Sequence, residues 1–353
     1  MNKKIKDKFS EFRQDIVSGD WILVASKKRR SRPYFFNQSD KKAKGKITRE
    51  SCPFENPQKF GNSEPVLWYA FEPLKNRAAE FKNWFVQVIP NKYPVVVPSK
   101  TCPEARPVGP SSKMEGVGYH EIIITRPHSR SLSEMSQAEV QLVLKAYQKR
   151  YLQLKEEKCV EYILIFHNHG LKAGASISHP HSQLAAMPIV PPDVSRSLNG
   201  SKKYFKERGR CVHCALLEWE LKEKERVIFQ NDYFAVIAPF ASRVSYEMRI
   251  YPKWHTSRFE EIDDKKRSRL AEALIETLRR LGKALGNPDY NFFIHTAPAK
   301  KEDTEYYHWH FEILPKTAVW AGLELGTGVV VISISSPEEA AEKLKKAKNA
   351  GKF

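Results

Sequence analysis

FHNHGLKAGASISHPHSQLAAM, residues 166–187, holds four of the eleven histidines in the 353-residue chain, and the rest of the sequence reads as its support. Its core is His179-Pro180-His181-Ser182-Gln183, preceded by Gly170, Gly174 and Ser176. In an extended segment a spacing of two puts both imidazoles on one face. Pro180 keeps the stretch out of helix geometry and removes one backbone donor. A neutral imidazole can ligate a metal or attack an electrophile, and the bond made by its second nitrogen decides which. The pair therefore suggests one ring held by a metal and one free to attack. The glycines ahead of it supply backbone whose N–H groups can face phosphate oxygens. The reading is a phosphoryl-transfer site built on histidine.

Outward from this stretch, the strand Val160–Phe166 delivers the chain into the motif. Before it, EIIITRPHSRSLSEM (121–135) reads as a buried strand ending near His128. Ser136 then caps a helix, with Glu139 at the third position in a capping-box arrangement, running to about Lys158. The second half repeats this order. MRIYPKWHTSRFEEI (248–262) mirrors the first block, a helix from about Asp263 to Leu285 follows, and YNFFIHTAPAKKEDTEYYHWHFEILP (290–315) mirrors the motif. His255 then pairs with His128, His308 with His179 and His310 with His181. The intervals agree: 179 − 128 = 51 and 308 − 255 = 53 residues. Cys211 and Cys214 with His255 and His308 make a complete structural zinc set, and His295 and His310 are alternative ligands. Glu312 follows the second pair and no glycine-rich loop precedes it. This half reads as metal-stabilised and not catalytic.

The stretch 166–183 resembles the active-site motif of the galactose-1-phosphate uridylyltransferase family, the transferase branch of the histidine-triad superfamily, with its plant-type ADP-glucose phosphorylase members. The resemblance covers nearly the whole chain, from Phe12 to about Lys345. It implies an α/β (α+β) fold, a duplicated histidine-triad-like unit of antiparallel sheets with helices packed on the outer faces. It implies His181 as the nucleophile that takes up a nucleoside monophosphate, His179 as a zinc-side histidine, Gln183 as the amide that holds phosphoryl oxygens, Ser176 as a phosphate contact and Asn168 as a further substrate contact. An amide at 183, where hydrolase members carry a third histidine, cannot relay protons for water attack. The covalent intermediate should then await a second phosphorylated substrate.

The same resemblance extends to other blocks. Phe12–Pro33 is similar to the family's N-terminal pattern, a hairpin about the Ser18–Asp20 turn with a strand Trp21–Ala25, and it implies Arg29 and Arg32 as phosphate arginines. In the interrupted strand Phe85–Val97, Asn91 and Tyr93 are candidates for the base and ribose sides. Cys52 stands where the family often has Cys-x-x-Cys, and Glu55 replaces the second cysteine; carboxylate oxygen also ligates zinc. Cys52, Glu55, His128 and His179 would form the first zinc site. In the tail, Glu324 with Gly326-Thr327-Gly328 resembles the segment that closes over the hexose, but the Lys/Phe-rich block of the uridylyltransferase branch is missing, which favours the phosphorylase-like branch. Ser336, Pro337 and Glu339 open a last amphipathic helix.

Bulk properties fit this picture. The length suits two halves, 1–200 catalytic and 201–353 with a structural metal site. No apolar run of membrane-spanning length occurs, and the basic N-terminus lacks the apolar core of a secretory signal, so the cytoplasm is the expected location. Five cysteines are an odd and sparse set, which argues against a disulfide framework and for metal ligation. A net charge of +18, from 59 Lys+Arg against 41 Asp+Glu, implies an anionic partner. The expected ones are an NDP-sugar with sugar 1-phosphate or phosphate. Nucleic acid is not expected, since no zinc-finger spacing or RNP motif is found. The run Lys202–Arg210 reads as a basic connector.

The expected function is transfer of a nucleoside monophosphate from an NDP-hexose to a hexose 1-phosphate through a nucleotidyl-histidine, of the UDP-glucose type. The alternative is an ADP-glucose phosphorylase or adenylyltransferase with phosphate as acceptor. From a different class comes a zinc-stabilised basic binding protein without catalysis. Two zinc ions per chain and a homodimer are expected.

Overall fold

The computed structural model describes residues 9–31, 48–71 and 81–348. The expected N-terminal hairpin is present as β1 (Glu11–Gln14) and β2 (Trp21–Val24), followed by a single helical turn, α1 (Lys27–Arg30). Next come β3 (Leu67–Tyr69), β4 (Val86–Pro90) and a small exposed hairpin of β5 (Arg106–Val108) and β6 (Ser111–Lys113). β7 (Tyr119–Thr125) leads into the long helix α2 (Gln137–Lys155), which returns through β8 (Tyr162–His169) to β9 (His181–Met187). Helices α3 (Pro192–Arg208) and α4 (Val212–Glu223) carry the chain to the second half. There β10 (Val227–Gln230), β11 (Phe234–Ile237) and β12 (Met248–Pro252) precede helix α5 (Asp264–Leu285), β13 (Tyr290–His295) and β14 (His310–Pro315). The tail holds α6 (Gly322–Thr327), β15 (Val330–Ile332) and α7 (Pro337–Lys346).

Ten of the strands form one antiparallel sheet in the order β10-β11-β12-β14-β13-β8-β9-β7-β4-β3. The order is symmetric about the β13–β8 pair, so each half contributes five strands and the two copies join edge to edge with Asn168 opposite Asn291. Joining them buries the edges that each half alone would leave unpaired. The equivalences drawn from the sequence repeat are borne out strand by strand: β7 matches β12, β8 matches β13, and β9 matches β14. β15 pairs in parallel with β2, tying the tail to the N-terminal hairpin.

Helices α2 and α5 lie against each other on one face of this sheet and share a single core. Val140, Leu144, Tyr147, Tyr151 and Leu154 meet Leu270, Leu274, Leu278 and Leu281 there, with Ile123, Ile163, Leu184 and Ala186 rising from the strands. Each such leucine or isoleucine contributes about 1.5–3 kcal/mol by leaving water. Ser136 and Glu139 close the capping box that starts α2, and Ser336 and Glu339 do the same for α7. The period of two along β9 then fixes the site. Leu184 and Ala186 face the helices, so His181 and Gln183 face the other way. On that far face Ile122 and Ile124 of β7 pack with Cys52, Phe54 and Trp84.

Two local readings are corrected. The basic run Lys202–Arg210 lies mostly within α3, because Pro192 at the first helical position has the fixed φ that starts a helix and loses no needed donor. α3 also runs across position 200, between the two halves. The cysteines are not all free either: Cys102 and Cys159 form a disulfide that spans 57 residues and ties the loop after Val97 to the chain just beyond α2.

Candidate active site

His181 opens β9 directly after Pro180. Its Nδ1–H donates to the carbonyl of His179 at 2.8 Å, which places the ring's lone pair on Nε2. Among the described residues no hydrogen bond engages that nitrogen. The ring is 7% exposed, its edge packs on Phe54 with centroids 4.9 Å apart, and burial lowers its proton affinity despite the carbonyl bond. A neutral, oriented imidazole results. Such a group can act as a nucleophile.

His179 uses its ring nitrogens in the opposite sense. Its Nε2–H donates to the Thr125 carbonyl at 2.7 Å and its Nδ1 lies 3.5 Å from Cys52 Sγ. Burial, the largest cause, pushes its pKa down to about 4. Cys52, His128 and His179 bring one ligand atom each within 4.8 Å of one another. Glu55 is not part of that set; its carboxylate lies 3.1 Å from His128 Nδ1. In the second half Cys211, Cys214, His255 and His308 converge equally closely. The two centres share their internal geometry, since His308 Nε2 bonds the Pro252 carbonyl and His310 Nδ1 bonds the carbonyl of His308. Three or four soft and borderline donors at this spacing suit a tetrahedral zinc ion.

The remaining residues named from sequence divide into those gathered at the motif and those held elsewhere. Gln183 sits two residues beyond His181 on the same face, its Oε1 2.9 Å from His120 Nε2. Asn91 joins them, with its amide nitrogen 3.2 Å from the same ring nitrogen. Asn168 is held from the other half, its Oδ1 accepting from Asn291 Nδ2 at 2.8 Å. Ser176 is exposed in the loop between Gly174 and His179. Gly170, directly after β8, has φ +84°, and a Cβ there would fall 2.0 Å from Asp289 Oδ1, so the turn requires glycine.

Tyr93 is 80% exposed on the surface. Arg29 is exposed on α1, while its neighbour Arg30 forks onto Glu339 of α7. Arg32 lies outside the described residues. Glu324 accepts from the backbone N–H of Ala321 at 3.0 Å, closing the start of α6. His120, Phe54 and Asn291 escaped the sequence reading. They reach the motif only through strand register or a turn, and the one local signal was His120 directly ahead of the apolar EIIIT strand.

The second copy carries a different chemistry at the matching position. Glu312 stands where Gln183 stands in the first, and it is gripped by Arg243 Nη2 at 2.6 Å and by His295 Nε2 at 2.8 Å. Burial opposes its ionisation, but Arg243 and Arg249 hold its carboxyl well below the usual range. A carboxylate there repels a phosphoryl oxygen where an amide would donate to it.

Residues 1–191 match the family model for the galactose-1-phosphate uridyl transferase N-terminal domain, and residues 197–346 match the model for its C-terminal domain. The chain belongs to this family. An ADP-glucose phosphorylase of Arabidopsis thaliana is 34% identical over 342 residues, covering 96% of this chain and 93% of that protein. A galactose-1-phosphate uridylyltransferase of Thermotoga maritima is 29% identical over 264 residues, 72% of this chain and 82% of that one. Among solved structures, an Arabidopsis thaliana ADP-glucose phosphorylase with bound ADP-glucose superposes with a TM-score of 0.78 at 33% identity, over 96% of this chain and 99% of that chain. A uridylyltransferase superposes at 0.70 and 30% identity, over 96% of this chain and 98% of that one. As a member of the galactose-1-phosphate uridyl transferase family, the chain is a nucleotidyltransferase. No helix among the described residues is long and apolar enough to cross a membrane.

Proposed function

We propose that this transferase moves a nucleoside monophosphate from a nucleoside-diphosphate hexose to a phosphorylated acceptor, through a covalent intermediate on His181 Nε2. The observation that carries the reading is the bond from His181 Nδ1 to the His179 carbonyl, which aims an unshared electron pair into the face that also carries Gln183. In the first half-reaction that pair forms the N–P bond to the α-phosphorus. The bond from this phosphorus to the bridging oxygen breaks, and sugar 1-phosphate leaves with the electrons. In the second, an acceptor phosphate oxygen attacks and restores the free imidazole. The Gln183 NH2, with Ser176, Arg29, Arg32 and backbone N–H groups of the 170–178 loop, is proposed to stabilise charge on the phosphoryl oxygens. Asn91 and Tyr93 would border the base and ribose, Asn168 the phosphates and Glu324 the hexose.

The donor sets fit zinc, held by Cys211, Cys214, His255 and His308 in one half and by Cys52, His128 and His179, with Glu55 beside them, in the other. When bound, the metal supplies rigidity to the strand ends that carry the two histidine pairs. A homodimer and a cytoplasmic location, where free nucleotide sugars occur, belong to the same proposal.

Two pairings of base and acceptor are open to this chemistry. One is uridine with a hexose 1-phosphate, as the family's name describes. The other is adenosine with inorganic phosphate, favoured by the likeness to the Arabidopsis ADP-glucose phosphorylase over 96% of the chain and by the tail, which lacks the Lys/Phe-rich block. Incubating the protein with radiolabelled UDP-glucose and ADP-glucose in parallel separates them. Label from ADP-glucose alone, discharged by phosphate, selects the second pairing. Label from UDP-glucose, discharged by a hexose 1-phosphate, selects the first.

A further inference from the structure

We propose that His120 is a positioning residue for this reaction: it holds the Gln183 side chain in the one flip that presents its NH2 to the reacting phosphoryl group. The inference rests on the functional reading above for what Gln183 touches, but its geometry stands alone.

The backbone N–H of Val95 lies 3.2 Å from His120 Nδ1. A backbone N–H can only donate, so Nδ1 is an acceptor and the neutral ring carries its proton on Nε2. That nitrogen is 2.9 Å from Gln183 Oε1. The Nε2–H therefore donates to the amide oxygen, and the amide nitrogen is left to face outward. Asn91 does not set the tautomer. Its Oδ1 accepts from Tyr93 N at 2.9 Å, and its Nδ2, which lies 3.2 and 3.4 Å from the two ring nitrogens, can donate only to Nδ1, the acceptor that the Val95 N–H also uses.

An amide is nearly symmetric in shape, and without a partner its two flips differ little in energy. The wrong flip aims a lone pair at a phosphoryl oxygen. One donor at 2.9 Å decides between them. Strand register delivers that donor: β7 pairs with β9 so that Ile122 lies opposite Gln183 and His120 opposite Ala185, all on the face away from the helices.

The second copy supplies an independent observation. Counting back eight residues from His255, as His120 lies eight before His128, gives Glu247. Glu247 is buried beside Arg249 at 2.9 Å, and Arg249 reaches both Glu247 and Glu312. The copy that lacks the amide thus also lacks the imidazole that would orient it. Both members of the pair differ together, and two acids bridged by arginine stand in their place.

The test has two arms. In the first, long-range nitrogen–proton NMR of protein labelled with 15N-histidine reads the tautomer. The expected result is an Nε2–H form at His120; an Nδ1–H form overturns the inference whatever the enzyme does. In the second, single-turnover nucleotidylation by the better labelling nucleotide sugar is followed in the wild type and four variants. His120→Asn keeps an acceptor for Val95 but removes the donor to Gln183, and it should slow the step about ten- to hundredfold with nucleotide-sugar affinity unchanged within about threefold. His120→Gln, which can place a donor near the same point, should recover most of the rate. Added to Gln183→Ala, His120→Asn should cost less than about twofold more. Equal slowing in both backgrounds would show that His120 acts on folding or elsewhere and would overturn the inference. Wild-type protein that takes no label from either nucleotide sugar defeats the functional reading instead, while the NMR arm still decides how Gln183 is held.

Discussion

At position 183 an amide, and at position 312 a carboxylate, occupy matching places two residues beyond matching imidazoles, and only the amide can donate to a phosphoryl oxygen. Gln183→Glu should therefore lower the nucleotidylation rate by about 10²–10³, the usual loss when a donor to developing charge is removed, while thermal unfolding stays near wild type. Stopped-time labelling beside a melting curve checks both. His167 gives a second prediction. It is buried behind the site, its Nδ1 on Ser182 Oγ at 2.9 Å, and burial is the main reason its pKa lies well below 6.5. The folded state keeps this ring neutral, whereas the unfolded chain takes up a proton as pH falls through 6.5. Stability from this residue is complete above that pH and is lost below it, by up to about 1.4 kcal/mol for each pH unit. Denaturant midpoints measured from pH 7.5 down to 5 should fall on the acid side only; a flat profile would contradict the assignment. The histidine pair was legible because both members sit within three residues. The His120–Gln183 contact was not, because strand register across 63 residues brings the two together.

Elements were read well where the signal was local and poorly where it was not. The start of α2 followed from Ser136 and Glu139, and the Ser136 backbone N–H does donate to Glu139 Oε2 at 2.7 Å. Ser136→Ala should cost about 1 kcal/mol in equilibrium unfolding. α3 was missed because a run of lysines and arginines resembles a connector when the helix start at Pro192, ten residues earlier, is unknown. The Cys102–Cys159 disulfide has no local signature at all. By loop-closure entropy it stabilises the fold by at most about 4 kcal/mol. Both cysteines are partly exposed, so a thiol reductant should lower the melting temperature of the wild type and leave Cys102→Ser unchanged. Identical responses in the two proteins would show that this bond does not form.

For the molecule as a whole, duplication explains the architecture. The symmetric strand order follows from two copies meeting at β8 and β13, and each copy keeps a metal-ligand cluster at the same end of its strands. The repeat was visible in the sequence as matched intervals; the continuity of the sheet was not, since an edge pairing leaves no pattern within either strand. Metal analysis should find two zinc ions per chain, and Cys214→Ser should retain one and melt earlier; a variant that still holds both would remove Cys214 as a ligand.

The most direct test of the central claim is intact-mass and peptide analysis of protein mixed with UDP-glucose or ADP-glucose without an acceptor. The structure predicts one nucleoside monophosphate per chain, on the peptide containing His181 and absent from His181→Ala. A label that persists in that variant, or maps to another residue, would contradict it.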